Sequence, residues 1–338
     1  MNIDILRALG PIWGASGVQG FFGEGYWYHK YLRFIGLLFP SMAFVAKTTT
    51  LNPRLNPENK QGNMPLGPDG ITPLEKFPKC IHISPRMWWN GMVLNAVGLS
   101  GPGALALLDA KRWQKRTHPF VISFMSVAPT KKERLEELQS FVDLLICRMA
   151  AVPFKTDFVL QLNYSCPNVG HHVAELIGEI EEGLEIASIL GVPLMPKFNV
   201  EIPVLEAKRI AANPHCAGIC ISNTLPFGSS LLPKEWWVKH FDTADPKQSP
   251  LGQFGGGGLS GKPLFPLVVN WIREARKAGI TTYINGGGGI LGPLGVIRTM
   301  LAGANSVFIG SAPMLRPWMT LPSIITAHVF DFFRTLLA

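Results

Sequence analysis

Cys166 stands in the run Asn163-Tyr164-Ser165-Cys166-Pro167-Asn168, which closes an apolar stretch and leads into Gly170-His171-His172. A thiol set among amide and hydroxyl side chains can ionise and take a proton from carbon as a general base. Buried cysteines more often serve as small hydrophobes, and that reading suits Cys147 and Cys220. Cys216 and Cys220 lack common zinc spacing and a second ligand pair, so they read as structural. Neighbouring His171 and His172 point apart without a visible third ligand. They are read as loop residues, and no metal site is expected.

Two lysines, Lys47 and Lys197, also end apolar runs. A lysine closing a buried strand needs an anionic or hydrogen-bonding partner. Gly286–Gly289 and Gly310–Ser311 follow the last two apolar runs. Glycines let backbone N–H groups approach a phosphate closely, and a following helix start adds favourable field. A phosphate-bearing ligand is the expectation, with Lys197 placed to stabilise negative charge on a cofactor ring, as a reduced flavin requires.

Short runs rich in Val, Ile and Phe must position these groups: 11–16, 42–47, 120–126, 157–164, 193–198, 218–223, 281–285 and 306–310. Continuous apolar runs of this length predict strands buried on both faces of a parallel sheet. Helical segments lie between most of them. Over 174–190, Leu176, Ile180, Leu184 and Ala187 share one face, while Glu175, Glu179, Glu182 and Glu185 mostly point away. A second helix is expected over 131–150. Eight strands alternating with helices, without a break in composition, predict an α/β fold of the (β/α)8 TIM-barrel kind. A doubly wound sheet is the alternative. One domain over 1–338 is expected, with insertions at about 48–94 and 224–262 forming a roof over the C-terminal face.

The 338 residues are 47% hydrophobic and 16% charged, which excludes global disorder and supplies a large core. The longest apolar stretch, Phe34 to Ala46, contains Pro40 and is too short to span a membrane. The net charge of +8 suits anionic small molecules, a membrane surface or nucleic acid. With no basic run or stripe, no nucleic-acid partner is expected. Residues 1–20 lack a secretory pattern, so reduced thiols and a cytoplasmic location are expected.

In order along the chain stand GASGV (14–18), AKTTTLNPR (46–54), LNAVGL (94–99), LNYSCPN (162–168), PLMPKF (193–198), ISNT (221–224), GGLSGKP (257–263), NGGGGI (285–290) and AGANSVFIGSA (302–312). This series resembles the dihydroorotate dehydrogenase family of flavin enzymes in pyrimidine biosynthesis. The resemblance implies FMN on the C-terminal face of the barrel and oxidation of dihydroorotate to orotate. It assigns Cys166 as the base at C5, with hydride passing from C6 to flavin N5. It places Ala15, Ser16, Lys47, Thr48, Asn163, Lys197, Ser222, Gly258, Gly288, Gly289, Gly310 and Ser311 around FMN. It places Lys47, Asn95 and the Val97–Gly98–Leu99 backbone at the substrate carboxylate, and Asn163, Asn168, Asn223 and Thr224 at the pyrimidine ring. A contact of Ser123 with FMN is a looser match.

Cysteine at 166 resembles the first class of the family. The second, quinone-using class carries serine there and an amino-terminal extension, for which Gly14 at the start of GASGV leaves no room. Within the first class one branch is a fumarate-using homodimer, and the other pairs with an electron-transfer subunit and uses NAD. LNAVGL leans toward the second, yet the chain holds neither a dinucleotide fingerprint nor a cysteine cluster. The segment 48–94 is longer than the family's, NGGGGI stands where GxGGI is usual, and 169–175 lacks the usual proline–glycine pair. Two rivals use a cysteine beside proline in FMN barrels: dihydropyrimidine dehydrogenase-like and tRNA-dihydrouridine synthase-like enzymes. A catalytically silent flavin-binding barrel is a third, opposed by the presence of Cys166 with all four asparagines.

Overall fold

The computed structural model describes residues 4–34, 41–55, 62–164 and 173–337, without the side chains of 33, 34 and 173–177. The expected apolar runs form strands β1 (Ile12–Gly14), β4 (Phe120–Phe124), β5 (Phe158–Asn163), β6 (Leu194–Phe198), β7 (Gly218–Ile221), β10 (Tyr283–Gly287) and β11 (Ser306–Ile309). They pair in parallel as one curled sheet in the order β1-β11-β10-β7-β6-β5-β4. Almost every residue of these strands is buried, as a sheet covered on both faces requires.

The expected strand at 42–47 differs. It makes isolated parallel bridges, Trp13↔Ala43 on one side and Val45↔Val121 on the other. The amides of Gly14 and Val121 donate to the carbonyls of Ala43 and Phe44, each at 2.9 Å. This segment therefore joins the two edges, β1 and β4, and closes the TIM barrel.

The helix Lys131–Ala151 starts at Thr130, whose hydroxyl accepts from the Glu133 amide while the Glu133 carboxylate accepts from the Thr130 amide. It buries Leu138, Phe141, Val142 and Leu145 against the barrel. The helix Val173–Ser188 buries Ile180, Leu184 and Ala187. Two expectations are corrected here. Glu179 does not point away: it is buried, with its carboxylate held by Arg134 through Nε at 2.8 Å and Nη2 at 2.6 Å. The arginine on the adjacent helix makes that burial tolerable. Cys147 is exposed rather than a core residue, because it lies on the outer face of its helix.

The two insertions meet in a second, antiparallel sheet of β2 (Ile81–His82), β3 (Met92–Asn95), β8 (Leu225–Pro226) and β9 (Gly258–Gly261), ordered β2-β3-β9-β8. In the β3–β9 register Met92 faces Gly261 and Asn95 faces Gly258. Gly261 has φ +107°, and a Cβ there would collide with the Gly91 carbonyl. This pairing is the frame of the roof. Among the described residues, no helix is long and apolar enough to cross a membrane.

Candidate active site

At the C-terminal ends of the barrel strands, buried polar side chains form a continuous layer. The Ser16 hydroxyl lies 2.8 Å from that of Thr48, and Thr48 lies 2.9 Å from Ser123. Ser123 donates to the Gln161 side-chain oxygen Oε1 at 3.2 Å, and Asn163 Nδ2 donates to Thr48 at 3.4 Å. These groups come from four neighbouring positions around the barrel, and their mutual bonds offset the cost of burying them. Ser123 is wholly buried beneath this layer, so it supports Thr48 and does not face the cavity.

Above the layer, under the roof sheet, lies a cavity of about 600 Å³. The parallel register puts Asn163 beside Lys197 and Lys197 beside Cys220. Burial pushes the Lys197 ammonium below the usual lysine range, and its Nζ sits 5.7 Å over the Phe308 ring. Burial likewise pushes Lys47 down to about 8. Lys47 Nζ donates to the Ser100 carbonyl and lies 4.6 Å over the Phe21 ring. Beyond β7 the Ser222 amide donates to the Gly287 carbonyl at 2.8 Å, and the Asn223 amide to the Phe198 carbonyl at 2.8 Å. Both side chains are thereby turned to the cavity's edge.

The roof supplies the opposite wall. Asn95 lies at the end of β3, and its Nδ2 donates to the Gly258 carbonyl at 3.4 Å. The turn after it carries Gly98 at φ +67° and Leu99 at φ +59°. Asn63 braces this turn, with Nδ2 donating to the Ala96 carbonyl at 2.7 Å and its amide donating to the Val97 carbonyl at 3.0 Å. Thr224 sits so close to Gly258 that any Cβ there would collide with its hydroxyl. Gly288 (φ +131°) and Gly289 (φ +76°) follow β10, and Gly310 with Ser311 follows β11.

One cavity is lined by Ala15, Ser16, Lys47, Thr48, Asn95, Val97, Gly98, Leu99, Asn163, Lys197, Ser222, Asn223, Thr224, Gly258, Gly288, Gly289, Gly310 and Ser311, whereas Ser123, Gly286 and Gly287, also singled out from the sequence, do not line it. Cys166 and Asn168, with His171 and His172, lie outside the described residues. The sequence reading missed Arg54, Asn63, Arg134 and Glu179, which also line it. Arg54 stands inside AKTTTLNPR, where the motif itself was a signal. Arg134 and Glu179 carried none, because only packing of the two helices pairs them.

The lining is suited to an anionic, hydrogen-bonding ligand. Two buried ammonium groups, amide and hydroxyl donors, and strand-end glycines surround the space, while Glu24 and Glu179 are the carboxylates among the described lining residues. Glu179 is already paired with Arg134. The donor set therefore fits a phosphorylated flavin together with a carboxylate substrate. Among the described residues, no cluster of histidine, cysteine and carboxylate groups could hold a metal ion.

A family model described as dihydroorotate dehydrogenase matches residues 76–327. Over 96% of this chain and 89% of the relative, the sequence is 27% identical to the catalytic subunit of dihydroorotate dehydrogenase B (NAD(+)) from Streptococcus pneumoniae (strain ATCC BAA-255 / R6). It is 28% identical to dihydroorotate dehydrogenase A (fumarate) from Lactiplantibacillus plantarum, over 66% of this chain and 68% of that protein. The fold is similar to that of a DHODH from Eimeria tenella in complex with ferulenol. That likeness has a TM-score of 0.62 at 18% identity, covering 96% of this chain and 82% of the other.

Proposed function

The chain belongs to the dihydroorotate dehydrogenase family of oxidoreductases, and from that premise we propose that it oxidises (S)-dihydroorotate to orotate with FMN, using Cys166 as the base. The observation that carries this reading is the single cavity in which two buried lysines, the strand-end amides and the glycine turns converge. When bound, FMN supplies the acceptor for the hydride from C6. Loss of that hydride and of the C5 proton leaves the C5=C6 double bond of orotate.

The chain's own residues divide the rest of the work. Cys166 takes the C5 proton as thiolate. Lys47, Asn95 and the Val97–Gly98–Leu99 backbone hold the substrate carboxylate, a charge-assisted contact that excludes uncharged analogues. Asn163, Asn168, Asn223 and Thr224 orient the ring by hydrogen bonds to its amide groups. Lys197 opposes negative charge on the reduced cofactor. Ala15, Ser16, Thr48 and Ser222 flank the flavin, and Gly258, Gly288, Gly289, Gly310 and Ser311 receive its ribityl phosphate.

For the second half-reaction the reading follows the relatives named as NAD(+)-linked catalytic subunits, so electrons leave through a partner protein. Fumarate reduction by the isolated chain would overturn that part alone. The main test is an anaerobic titration of the purified protein. Dihydroorotate should bleach the flavin absorbance and dihydrouracil should not. A colourless protein, or equal bleaching by both compounds, refutes the proposal.

A further inference from the structure

After β3 the chain turns through residues 96–100, and Val97, Gly98 and Leu99 of that turn line the cavity. Three successive carbonyls there are held by donors. The Ala96 carbonyl accepts from Asn63 Nδ2 at 2.7 Å, and the Gly98 carbonyl from Arg54 Nε at 3.1 Å. The Val97 carbonyl accepts twice, from the Asn63 amide and from the Ser100 hydroxyl, each at 3.0 Å. In a trans peptide the N–H points away from the carbonyl of the same plane. Pinning the carbonyls of 96, 97 and 98 therefore also fixes the amides of Val97, Gly98 and Leu99. Among the described residues those three amides donate to no protein acceptor. With left-handed backbone at Gly98 and Leu99, successive N–H groups of this kind form a concavity suited to an anion.

The same point anchors the nearby cation. The Met64 amide donates to the Ser100 hydroxyl at 2.9 Å, and the Ser100 carbonyl accepts from Lys47 Nζ. Ser100 is fully buried, and a Cβ on Gly62 would collide with its hydroxyl. A Cβ on Gly98 would likewise press on the Asn63 side chain, 3.0 Å from its Nδ2. Residues 62–64 thus pack directly against the turn. Through Ser100 they also reach the ammonium assigned to the substrate carboxylate.

We propose that Asn63 is a specificity-determining positioning residue: with Ser100 it aims three turn amides, beside Lys47, at a carboxylate on the substrate ring. Its part is to hold the turn, not to take a proton or a hydride. This role rests on the oxidation of dihydroorotate proposed above, and it adds which residues make the site choose a carboxylated ring over a neutral one. Without the Asn63 side-chain amide the Ala96 carbonyl loses its donor, and the first peptide plane is free to rotate. The Val97 amide then leaves the register of its neighbours, and the carboxylate loses donors while the strand-end groups around the flavin keep their places.

Anaerobic stopped-flow reduction of the flavin in the full chain tests it, together with orotate and uracil titrations. In Asn63→Ala the half-saturating dihydroorotate concentration and the orotate Kd should each rise roughly tenfold, the scale of a misplaced contact. The limiting reduction rate should stay within about twofold, as expected when only binding is lost. Uracil affinity should not change, and the flavin should stay bound. Ser100→Ala keeps its carbonyl on Lys47 but loses the hydroxyl, and it should weaken orotate by roughly threefold. If Asn63→Ala loses its flavin, Ser100→Ala is judged in its place. Parental orotate affinity, orotate and uracil weakened by one factor, or a limiting rate that falls as far as affinity overturns the positioning role alone. Loss of flavin by both variants also overturns it, since the pair would then support the cofactor. A parent that dihydroorotate does not bleach overturns the proposed oxidation and this role with it.

Discussion

On the barrel side of the cavity the polar groups sit at the ends of neighbouring parallel strands. On the roof side they come from β3 and β9, more than 150 residues apart in sequence. The barrel wall is braced by bonds among its own side chains, from Ser16 through Thr48 and Ser123 to Gln161. The roof wall is braced by backbone fit, with Gly258 against Thr224 and Gly261 against Gly91. A change on the barrel side should therefore alter chemistry or charge at one point. A change on the roof side should displace several substrate contacts together.

The sharpest test of the barrel side is Cys166→Ala. Flavin reduction by dihydroorotate should slow by roughly two to four orders of magnitude, the range of a lost general base, while orotate still binds. The parental rate should rise with pH through the thiol range near about 8.5. An alanine variant reduced at the parental rate removes Cys166 from the chemistry.

Between the two helices beside the cavity, Glu179→Ala should cost about 3–5 kcal/mol of stability, because it leaves Arg134 buried without its carboxylate. Replacing both residues with Met and Leu should restore much of the loss. A thermal melt that shows the single variant unchanged would contradict burial of the pair.

Gly261→Ala probes the roof. The added Cβ meets the Gly91 carbonyl at a positive φ, and the expected cost is about 1–3 kcal/mol. Substrate KM should rise while flavin stays bound, since cofactor contacts are mainly on the barrel side. Loss of flavin with unchanged KM would reverse the comparison.

The smallest effect concerns pH. Lys47 is pushed down to about 8 by burial, so its charge is full below that value and fades above it. Orotate affinity should fall roughly few-fold as pH rises past 8, and Lys47→Ala should abolish both this dependence and the preference for dihydroorotate over dihydrouracil. The folded protein binds this proton less tightly than the unfolded chain does. The same titration should therefore raise stability as pH climbs from about 8 toward 10.5. A flat orotate profile would leave Lys47 to its bond with Ser100.

The sequence by itself determined the strands and the residue types at their ends. A run such as Phe120–Phe124 is apolar at every position, and a strand buried on both faces demands that. Asn163 and Lys197 follow such runs directly, so local pattern alone places them at one end of the sheet. Glycine positions were legible for the same reason, since their role rests on backbone geometry within a turn.

Tertiary structure decided what depends on partners distant in the chain. Bridges through 43–49 close the barrel by joining two edges, at Trp13 and at Val121–Phe124, that lie far apart in the sequence. Glu179 carried the pattern of a solvent-facing residue until Arg134, 45 residues away, gave it a buried partner. The roof exists because β3 finds β9. In each case the energy comes from contacts between groups with no local periodicity to announce them, and folding alone brings those groups within reach.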